Sequence, residues 1–374
     1  MGNLLGPPMV QGNKVTTLLN GDEVFPAMLE AIRSARRSID FETYIYWSGT
    51  VGREFGDALS ERARSGVPTH LIIDWLGSTK ADEKILEAMR KAGVEIVRYR
   101  PLRWYSVDRI NHRTHRKLLV VDGRIGFTGG VGIADQWLGS AQDPEHWRDS
   151  HFRVEGPVVA QLQAAFLDNW IEAEGHVLDG EAFYPQLRPV GSDFAQVFRS
   201  APGEGSASMR LMYLLAIAAA TKSILIANAY FVPDSQAVAM LVEARRRGAD
   251  VEIIVPGPVL DAQIVRRASR AMWGPLLEAG VRIYEYQPTM YHTKVMVVDD
   301  IWASVGSTNF DDRSFRLNDE ANLNVLDAGF AQEQTRVFAE DRGRSREVTL
   351  QAWLRRPLWE RLQERWATLV RSQL

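Results

Sequence analysis

The sequence predicts an α/β fold made of two tandem copies of one unit, each with a central mixed sheet flanked by helices. A strand–helix–strand pattern occurs twice, and one histidine–lysine motif occurs once in each copy. The chain has 374 residues, which is more than one hydrophobic core usually holds. Two domains related by a pseudo-two-fold axis are therefore expected, with the active site where they meet.

The first copy is the clearer of the two. Residues 38–45 form an apolar strand pattern, and residues 54–65 follow with Phe55, Leu59 and Ala63 at helical spacing. A glycine turn at Gly66 then leads into a second apolar strand that ends at residue 74. Continuous apolar strands joined by a helix are typical of a buried parallel sheet.

The second copy repeats this order. Residues 223–231 match the first strand, a helical stretch follows, and residues 248–255 match the second strand. Further along, residues 279–283 match residues 92–96. A loop-like stretch rich in glycine and proline lies at residues 178–205, so we place the two domains at residues 1–190 and 191–374.

Composition excludes several classes of protein. The net charge is −3, with 45% hydrophobic and 24% charged residues, as is ordinary for a globular protein. Duplex-DNA binding usually needs a basic excess, so we expect no nucleic-acid partner. The absence of cysteine excludes disulfides, thiolate metal sites and cysteine nucleophiles. No apolar run approaches the ~20 residues of a spanning helix, so membrane contact is expected to be peripheral.

The chemistry-bearing motif pairs a histidine and a lysine two residues apart. His115 and Lys117 precede an apolar run that ends at Asp122, and His292 and Lys294 precede another that ends at residue 299. Strand side chains alternate between faces, so each histidine and its lysine point the same way. The Asp122-Gly123 step predicts a hairpin turn, and each following strand ends in small residues, at 129–132 and 306–309.

Two such motifs suit a phosphodiester substrate. The lysines would neutralise the non-bridging oxygens, one imidazole would attack phosphorus, and the other would serve as acid and then base. This chemistry requires no metal, and we predict no metal or other cofactor. Asp122 and Asp299 belong to the motifs and are counted with the catalytic candidates, although their position at a turn favours bracing the loop.

The paired motifs resemble the HKD motifs of the phospholipase D superfamily. Within it the chain is most similar to bacterial cardiolipin synthases of the short type, without N-terminal membrane helices. The resemblance covers nearly the whole chain and extends to residues 41–46, 129–135, 147–157 and 314–324.

This resemblance implies transfer of a phosphatidyl group through a phosphohistidine at the interface of two phospholipase D-like domains. His115 would be the nucleophile and His292 the acid and base, an order that the sequence alone leaves open. Gly132 stands where the family usually has asparagine, which removes one phosphate donor. The resemblance assigns phosphate binding to Lys117, Lys294, Ser307 and Asn309, and orientation of the histidines to Asp149 and Glu320.

The expected activity is that of a cardiolipin synthase. The donor would be phosphatidylglycerol, with phosphatidylethanolamine as a related donor, and the acceptor a lipid glycerol hydroxyl. With water as acceptor the same site would be a phospholipase D that releases phosphatidic acid. A nuclease and a membrane scaffold with a degenerate site are the remaining alternatives. The expected location is the cytoplasmic face of a bacterial cell membrane, peripherally bound.

Two further segments have alternative interpretations. Arg103, Trp104 and Tyr105 would either dip into a lipid interface or form a packed insertion. The C-terminal stretch 357–374 carries Leu358, Leu362, Trp366 and Leu369 at helical spacing. Such a stripe is expected to dock on the core rather than lie on a membrane.

Overall fold

The first half contains seven strands and four α-helices in the part of the chain that the structure describes. The computed structural model describes residues 6–101, 111–202 and 206–369, with only the backbone of residues 206 and 207. The strands are β1 (Val10–Leu19), β2 (Ile39–Thr43), β3 (Thr69–Asp74), β4 (Glu95–Tyr99), β5 (Leu118–Val121), β6 (Ile125–Gly129) and β7 (Ser150–Glu155). The helices are α1 (Asn20–Ser34), α2 (Thr50–Arg64), α3 (Glu83–Ala92) and α4 (Val159–Glu174).

The second half repeats this arrangement and adds elements at its end. Its strands are β8 (Asp193–Ser200), β9 (Ser223–Asn228), β10 (Asp250–Pro256), β11 (Arg282–Tyr286), β12 (Lys294–Val298), β13 (Trp302–Gly306), β14 (Glu320–Leu326) and β15 (Ser345–Glu347). Its helices are α5 (Ser206–Ala219), α6 (Ser235–Arg246), α7 (Gln263–Ala271), α8 (Trp273–Glu278), α9 (Asp312–Arg316), α10 (Ala328–Gly343), α11 (Leu350–Leu354) and α12 (Leu358–Leu369).

A single mixed sheet joins the two halves. Among the described residues the strand order is β15-β11-β10-β9-β12-β13-β14-β8-β1-β7-β6-β5-β2-β3-β4. In each half three strands are parallel and the strand of the histidine–lysine motif joins them antiparallel, as β5 beside β2 and β12 beside β9. The halves meet where β1 pairs with β8, so the α/β tandem duplication is confirmed.

Apolar packing follows the repeat. One hydrophobic cluster lies between the first half of the sheet and helices α1 to α3, and a second lies under α5, α6 and α8. A third cluster includes α4 and α10 together with strands of both halves. The predicted boundary at residue 190 falls in the segment between α4 and β8, and the division into residues 1–190 and 191–374 stays a prediction.

The C-terminal stripe does not dock on the core. Leu358, Leu362, Trp366 and Leu369 are each more than half exposed on α12, so the preferred prediction for this stretch was wrong. The helix instead packs on α7 through other side chains, among them Glu364 and Ala367, which are buried. Arg103, Trp104 and Tyr105 lie outside the described residues.

Candidate active site

The two histidine–lysine motifs lie together at the interface of the halves. Each motif immediately precedes or begins a hairpin strand, β5 or β12, whose apolar residues are buried in the core. His115, Lys117 and His292 line one cavity of about 300 Å³. Both copies of the motif therefore converge on one site, as the repeat predicted.

Backbone hydrogen bonds tie each motif to the opposite half. The amide of His115 donates to the carbonyl of Asp319 at 2.9 Å, and the amide of His292 donates to the carbonyl of Arg148 at 2.8 Å. Reciprocal bonds join Asp319 to Arg113 and Arg148 to Met290, both at 2.9 Å. These short bridges fix the position of each histidine relative to the partner half.

The side-chain contacts cross in the same way. Nδ1 of His115 lies 3.0 Å from Oε1 of Glu320, and Nδ1 of His292 lies 2.7 Å from Oδ2 of Asp149. Each carboxylate belongs to the half that does not carry its histidine. Because Nδ1 donates its proton to the carboxylate, Nε2 is the ring nitrogen left for a substrate in the cavity.

Burial sets the protonation of the histidines. It lowers the pKa of His115 to about 4, and it also lowers the pKa of His292, so both imidazoles are neutral near pH 7. Burial alone would raise the pKa of Glu320, but the charges and hydrogen bonds around it hold the pKa below its usual value. The same balance lowers the pKa of Asp149. A neutral imidazole beside an ionised carboxylate is the state that a nucleophile or base requires.

The two motif lysines are buried beside the histidines. Nζ of Lys117 donates to the carbonyl of His115 at 2.7 Å, and Nζ of Lys294 donates to the carbonyl of His292. Burial lowers the pKa of Lys117 to about 7 and that of Lys294 to about 8. An anionic phosphate in the cavity would favour the charged ammonium groups, because an opposite charge stabilises them.

The carboxylates are held differently in the two halves. Oγ of Ser307 donates to Glu320 at 2.5 Å, whereas the indole Nε1 of Trp137 donates to Asp149 at 2.9 Å. Gly130 occupies the position that matches Ser307, and a Cβ there would lie 2.1 Å from Oδ1 of Asp149. In the first half, the shorter Asp149 thus lies beside a glycine and accepts from a tryptophan. In the second half, the longer Glu320 lies beside Ser307 and accepts from its hydroxyl.

The same tryptophan explains Gly132. A Cβ at Gly132 would lie 3.0 Å from Ile45 and 3.2 Å from the Trp137 ring, so a larger side chain would be crowded there. In the second half the matching residue, Asn309, is buried and lines the cavity, with its Oδ1 unpartnered. The amide that the family usually places on both sides is therefore present on one side only.

Three predicted site residues direct their side chains to partners other than the cavity. Oδ1 of Asp122 accepts from the amides of residues 36, 37 and 38, and the carboxylate of Asp299 accepts from the amides of residues 221, 222 and 223. These contacts fit the bracing of the turns that their position favours, and the catalytic role of Asp122 and Asp299 stays a prediction. Ser307 is fully buried and its hydroxyl donates to Glu320, so its contact with a phosphate stays a prediction.

Aromatic and cationic residues complete the cavity wall and were not among the predicted site residues. The ring of Trp147 lies 5.4 Å from that of His292, and the ring of Tyr44 lies 5.3 Å from that of His115. Arg113 and Arg313 also line the cavity. Trp147 and Tyr44 fall inside segments that resemble the family, but that likeness alone did not indicate which residues reach the site.

Comparison with known proteins identifies the family. The sequence profile described as "Cardiolipin synthase, PLD-like domain" matches residues 28–170 and 213–342, one match in each half. The chain belongs to this family. Cardiolipin synthase 1 of Bacillus anthracis is 35% identical over 98% of this chain and 73% of its own length. Cardiolipin synthase A of Pseudomonas fluorescens is 35% identical over 91% of this chain and 71% of its own length.

Solved structures show the same fold at much lower identity. The phosphatidylserine synthase of Haemophilus influenzae superposes with a TM-score of 0.75 at 15% identity, covering 100% of this chain and 98% of its own. The polyphosphate kinase of Porphyromonas gingivalis superposes with a TM-score of 0.61 at 13% identity, covering 96% of this chain and 54% of its own. Among the described residues of this cardiolipin synthase-family chain, no helix is both long and apolar enough to cross a bilayer.

Proposed function

We propose that the chain is a cardiolipin synthase-type phosphatidyltransferase that uses phosphatidylglycerol as donor and acceptor. The observation that carries this proposal is the pair of buried histidines in one cavity, each with its Nδ1 on a carboxylate. Two lysines beside them supply positive charge for a phosphodiester. Family membership supplies the lipid class of the substrate.

In the first step, Nε2 of His115 attacks the phosphorus of the donor. The bond between phosphorus and the head-group glycerol oxygen breaks, and a phosphatidyl–His115 intermediate forms. This step starts from the substrate complex in which His292 is protonated, because the phosphate anion and Asp149, through the Nδ1 hydrogen bond, stabilise the imidazolium. The proton on its Nε2 passes to the leaving oxygen and leaves His292 neutral. Free glycerol is the first product.

In the second step, a hydroxyl of a second phosphatidylglycerol enters the position that glycerol has left. Nε2 of His292 removes its proton, the oxygen attacks phosphorus, and the bond between phosphorus and His115 breaks. Cardiolipin forms and both histidines return to their starting state. Lys117, Lys294 and Asn309 stabilise the phosphate oxygens in both steps, and the electrostatic contribution is large because the lysines are buried.

Product analysis tests this function. Purified protein is incubated with phosphatidylglycerol vesicles, with and without phosphatidylethanolamine, beside a His115→Ala control, and the lipids are read by mass spectrometry. Cardiolipin and free glycerol that disappear in the control are the expected result. Phosphatidic acid as the sole product would identify a phospholipase D, and unchanged lipid would contradict both activities.

We also propose that the protein acts from the cytoplasmic face of the bacterial membrane as a peripheral protein. A lipid substrate requires that the cavity reach a bilayer, and this supports membrane association. Membrane fractionation followed by protease treatment of spheroplasts tests the sidedness. Protection in intact spheroplasts and digestion after lysis are expected, whereas digestion in intact spheroplasts would contradict the cytoplasmic location.

A further inference from the structure

Helix α12 carries its apolar side chains on the face turned away from the protein. Trp366 is 70% exposed and Leu358 is 74% exposed, and the intervening Leu362 is 52% exposed. Successive helix residues rotate by about 100°, so these residues share one side of the helix with Trp359 and Leu369. Glu364 and Ala367 lie on the opposite side and are buried.

Ion pairs, rather than the apolar stripe, hold α12 in place. Nε of Arg356 donates to Glu364 at 2.8 Å, and Nε of Arg270 donates to the same carboxylate at 3.3 Å. Ala367 packs in a small cluster with Val265 and Ala268 of α7. The inward face of α12 is thus already satisfied, and the apolar face is available for another partner.

The helix beneath the exposed stripe also lines the catalytic cavity. Helix α7, on which α12 packs, contributes Ile264 and Val265 to the cavity wall. Ile264 is itself 45% exposed. We define the α7–α12 surface as Ile264, Leu358, Trp359, Leu362, Trp366 and Leu369.

The charge at this surface is positive. Arg267, Arg361 and Arg365 are exposed, and none of them forms an ion pair within the described ranges. The acids of α12, Glu360 and Glu364, both pair with Arg270. Arg361 and Arg365 also line a groove of about 440 Å³ beside Leu358 and Leu362. Cations next to an apolar stripe with tryptophans complement an anionic lipid surface.

We propose that the α7–α12 surface docks on an anionic bilayer and so presents the cavity mouth to its lipid substrates. The lipid substrate named here rests on the proposed phosphatidyltransferase function. The observations that support docking do not involve the catalytic residues. The apolar side chains would enter the interface, and the unpaired arginines would contact anionic head groups. Scattered exposed apolar residues are normal, but a contiguous apolar stripe rimmed by unpaired cations is not.

Vesicle flotation of the full chain tests the docking. The variant Leu362→Ser/Trp366→Ser is compared with the control Ile301→Ser/Leu326→Ser, which also removes two exposed apolar side chains. Both control residues lie at the end of the sheet away from the catalytic cavity, because Ile301 follows β12, which begins at Lys294, and Leu326 ends β14. On vesicles that contain phosphatidylglycerol, the first variant is expected to bind about tenfold more weakly than the wild type. The control is expected to bind within about twofold. Equal binding by the first variant and the wild type would overturn the proposal.

A charge variant gives an independent readout. Arg361→Glu/Arg365→Glu is expected to lose binding to anionic vesicles while its weak binding to pure phosphatidylcholine vesicles stays unchanged. Gel filtration checks the alternative that a second copy covers the stripe. A wild-type dimer that Leu362→Ser/Trp366→Ser converts to a monomer, without loss of vesicle affinity, would overturn the proposal.

Activity on dispersed substrate separates docking from catalysis. Release of glycerol from short-chain phosphatidylglycerol, below its micelle concentration, is expected to be the same in Leu362→Ser/Trp366→Ser and the wild type. A wild type that binds vesicles through this surface but releases no glycerol would contradict the proposed function and leave the docking supported. A variant that loses dispersed-substrate activity and vesicle binding together would overturn the docking role.

Discussion

At the residue scale, the crossed carboxylates are the feature with the clearest chemical consequence. Removing the charge of Glu320 or Asp149 leaves an imidazolium on the opposite half without its counter-ion. We expect Glu320→Gln and Asp149→Asn each to lower kcat by about 10²-fold or more, with thermal stability changed much less. Steady-state glycerol release measures the effect. Near-normal kcat in either variant would show that its histidine works without the carboxylate.

The depressed lysine pKa values predict the alkaline limb of activity. In the free enzyme Lys117 loses its proton as the pH rises through about 7, and with it the attraction for phosphate. We therefore expect kcat/KM to fall above this pH. Lys117→Arg keeps the charge at high pH and should move the limb upward by a unit or more, with a lower maximum rate. A limb that stays in place would assign it to another group.

The repeat predicted that the two motif histidines share one cavity, but it did not indicate that the two halves hold their carboxylates differently. The spacing of His115 and His292 within the repeat was sufficient to predict convergence. Nothing in the spacing indicated that Trp137 would take over a hydrogen bond to Asp149, because its partner lies 12 residues away across a turn. The sequence showed that Gly132 stands in place of the usual asparagine, but it did not show that the Trp137 ring fills the space beside this glycine.

At the element scale, the motif aspartates stabilise the hairpin turns. Each accepts three backbone amides, so Asp122→Asn and Asp299→Asn should each reduce the free energy of unfolding by about 1–2 kcal/mol. The kcat of both variants should stay within about twofold of the wild type. Urea denaturation and glycerol release measure the two effects. A large loss of kcat without loss of stability would place these residues in the catalytic set.

The pH dependence of this stabilisation has a definite sign. Burial alone would raise the pKa of Asp299, but backbone amides outweigh it and lower the folded-state pKa. The stabilisation is therefore present above the ordinary carboxyl pKa and is lost as the pH falls through the folded-state value. The difference in stability between the wild type and Asp299→Asn should shrink in acid.

The buried ion pair between Arg148 and Asp341 gives the second prediction at the element scale. The Arg148 guanidinium reaches both carboxylate oxygens of Asp341 on α10, each at 2.9 Å, next to the bridge that holds His292. Arg148→Leu leaves that buried carboxylate with the Tyr291 hydroxyl but without a counter-ion, which should reduce the free energy of unfolding by about 3–5 kcal/mol.

A neighbouring pair supplies the control. Arg153 meets Glu155 at 3.3 Å at a partly exposed position on β7, and such pairs contribute about 0–1 kcal/mol. Urea titration of Arg148→Leu and Arg153→Leu should therefore differ by several kcal/mol. Similar losses in both variants would show that Arg148 contributes no more than a surface ion pair.

For the C-terminal helix, the sequence predicted the helix but not which of its faces turns inward. The helical spacing of Leu358, Leu362 and Trp366 correctly predicted an amphipathic helix. The spacing could not indicate which face turns inward, because that choice depends on the buried ion pairs that Glu364 makes with Arg270 and Arg356. Arg270 comes from α7 and Arg356 from the loop before α12, and the helical spacing indicates neither contact.

At the scale of the whole molecule, the described residues that line the cavity come from both halves of one chain. The duplication, the mixed sheet and the position of the site were predictable because each depends on a repeat that the sequence displays. The pairing of β1 with β8 joins the two halves into one sheet. This pairing was not predictable, because β1 lies before the first strand of the recognised repeat.

A mixing experiment follows from this organisation. His115→Ala and His292→Ala proteins are each expected to be inactive, and an equimolar mixture should remain inactive because both histidines must belong to the same chain. Glycerol release measures the outcome. Recovery of about a quarter or more of wild-type activity would show that sites form between chains, which contradicts a site within one chain.

The crossed hydrogen bonds also constrain how this protein can change over time. A histidine in one half depends on a carboxylate in the other half, and the length of that carboxylate is matched to a glycine or serine of its own half, as in Asp149 with Gly130 and Glu320 with Ser307. Neither copy can therefore drift alone. A chimaera that takes one half from a relative would place each histidine beside a carboxylate from a different parent, so recombination should preserve the two halves only as a pair.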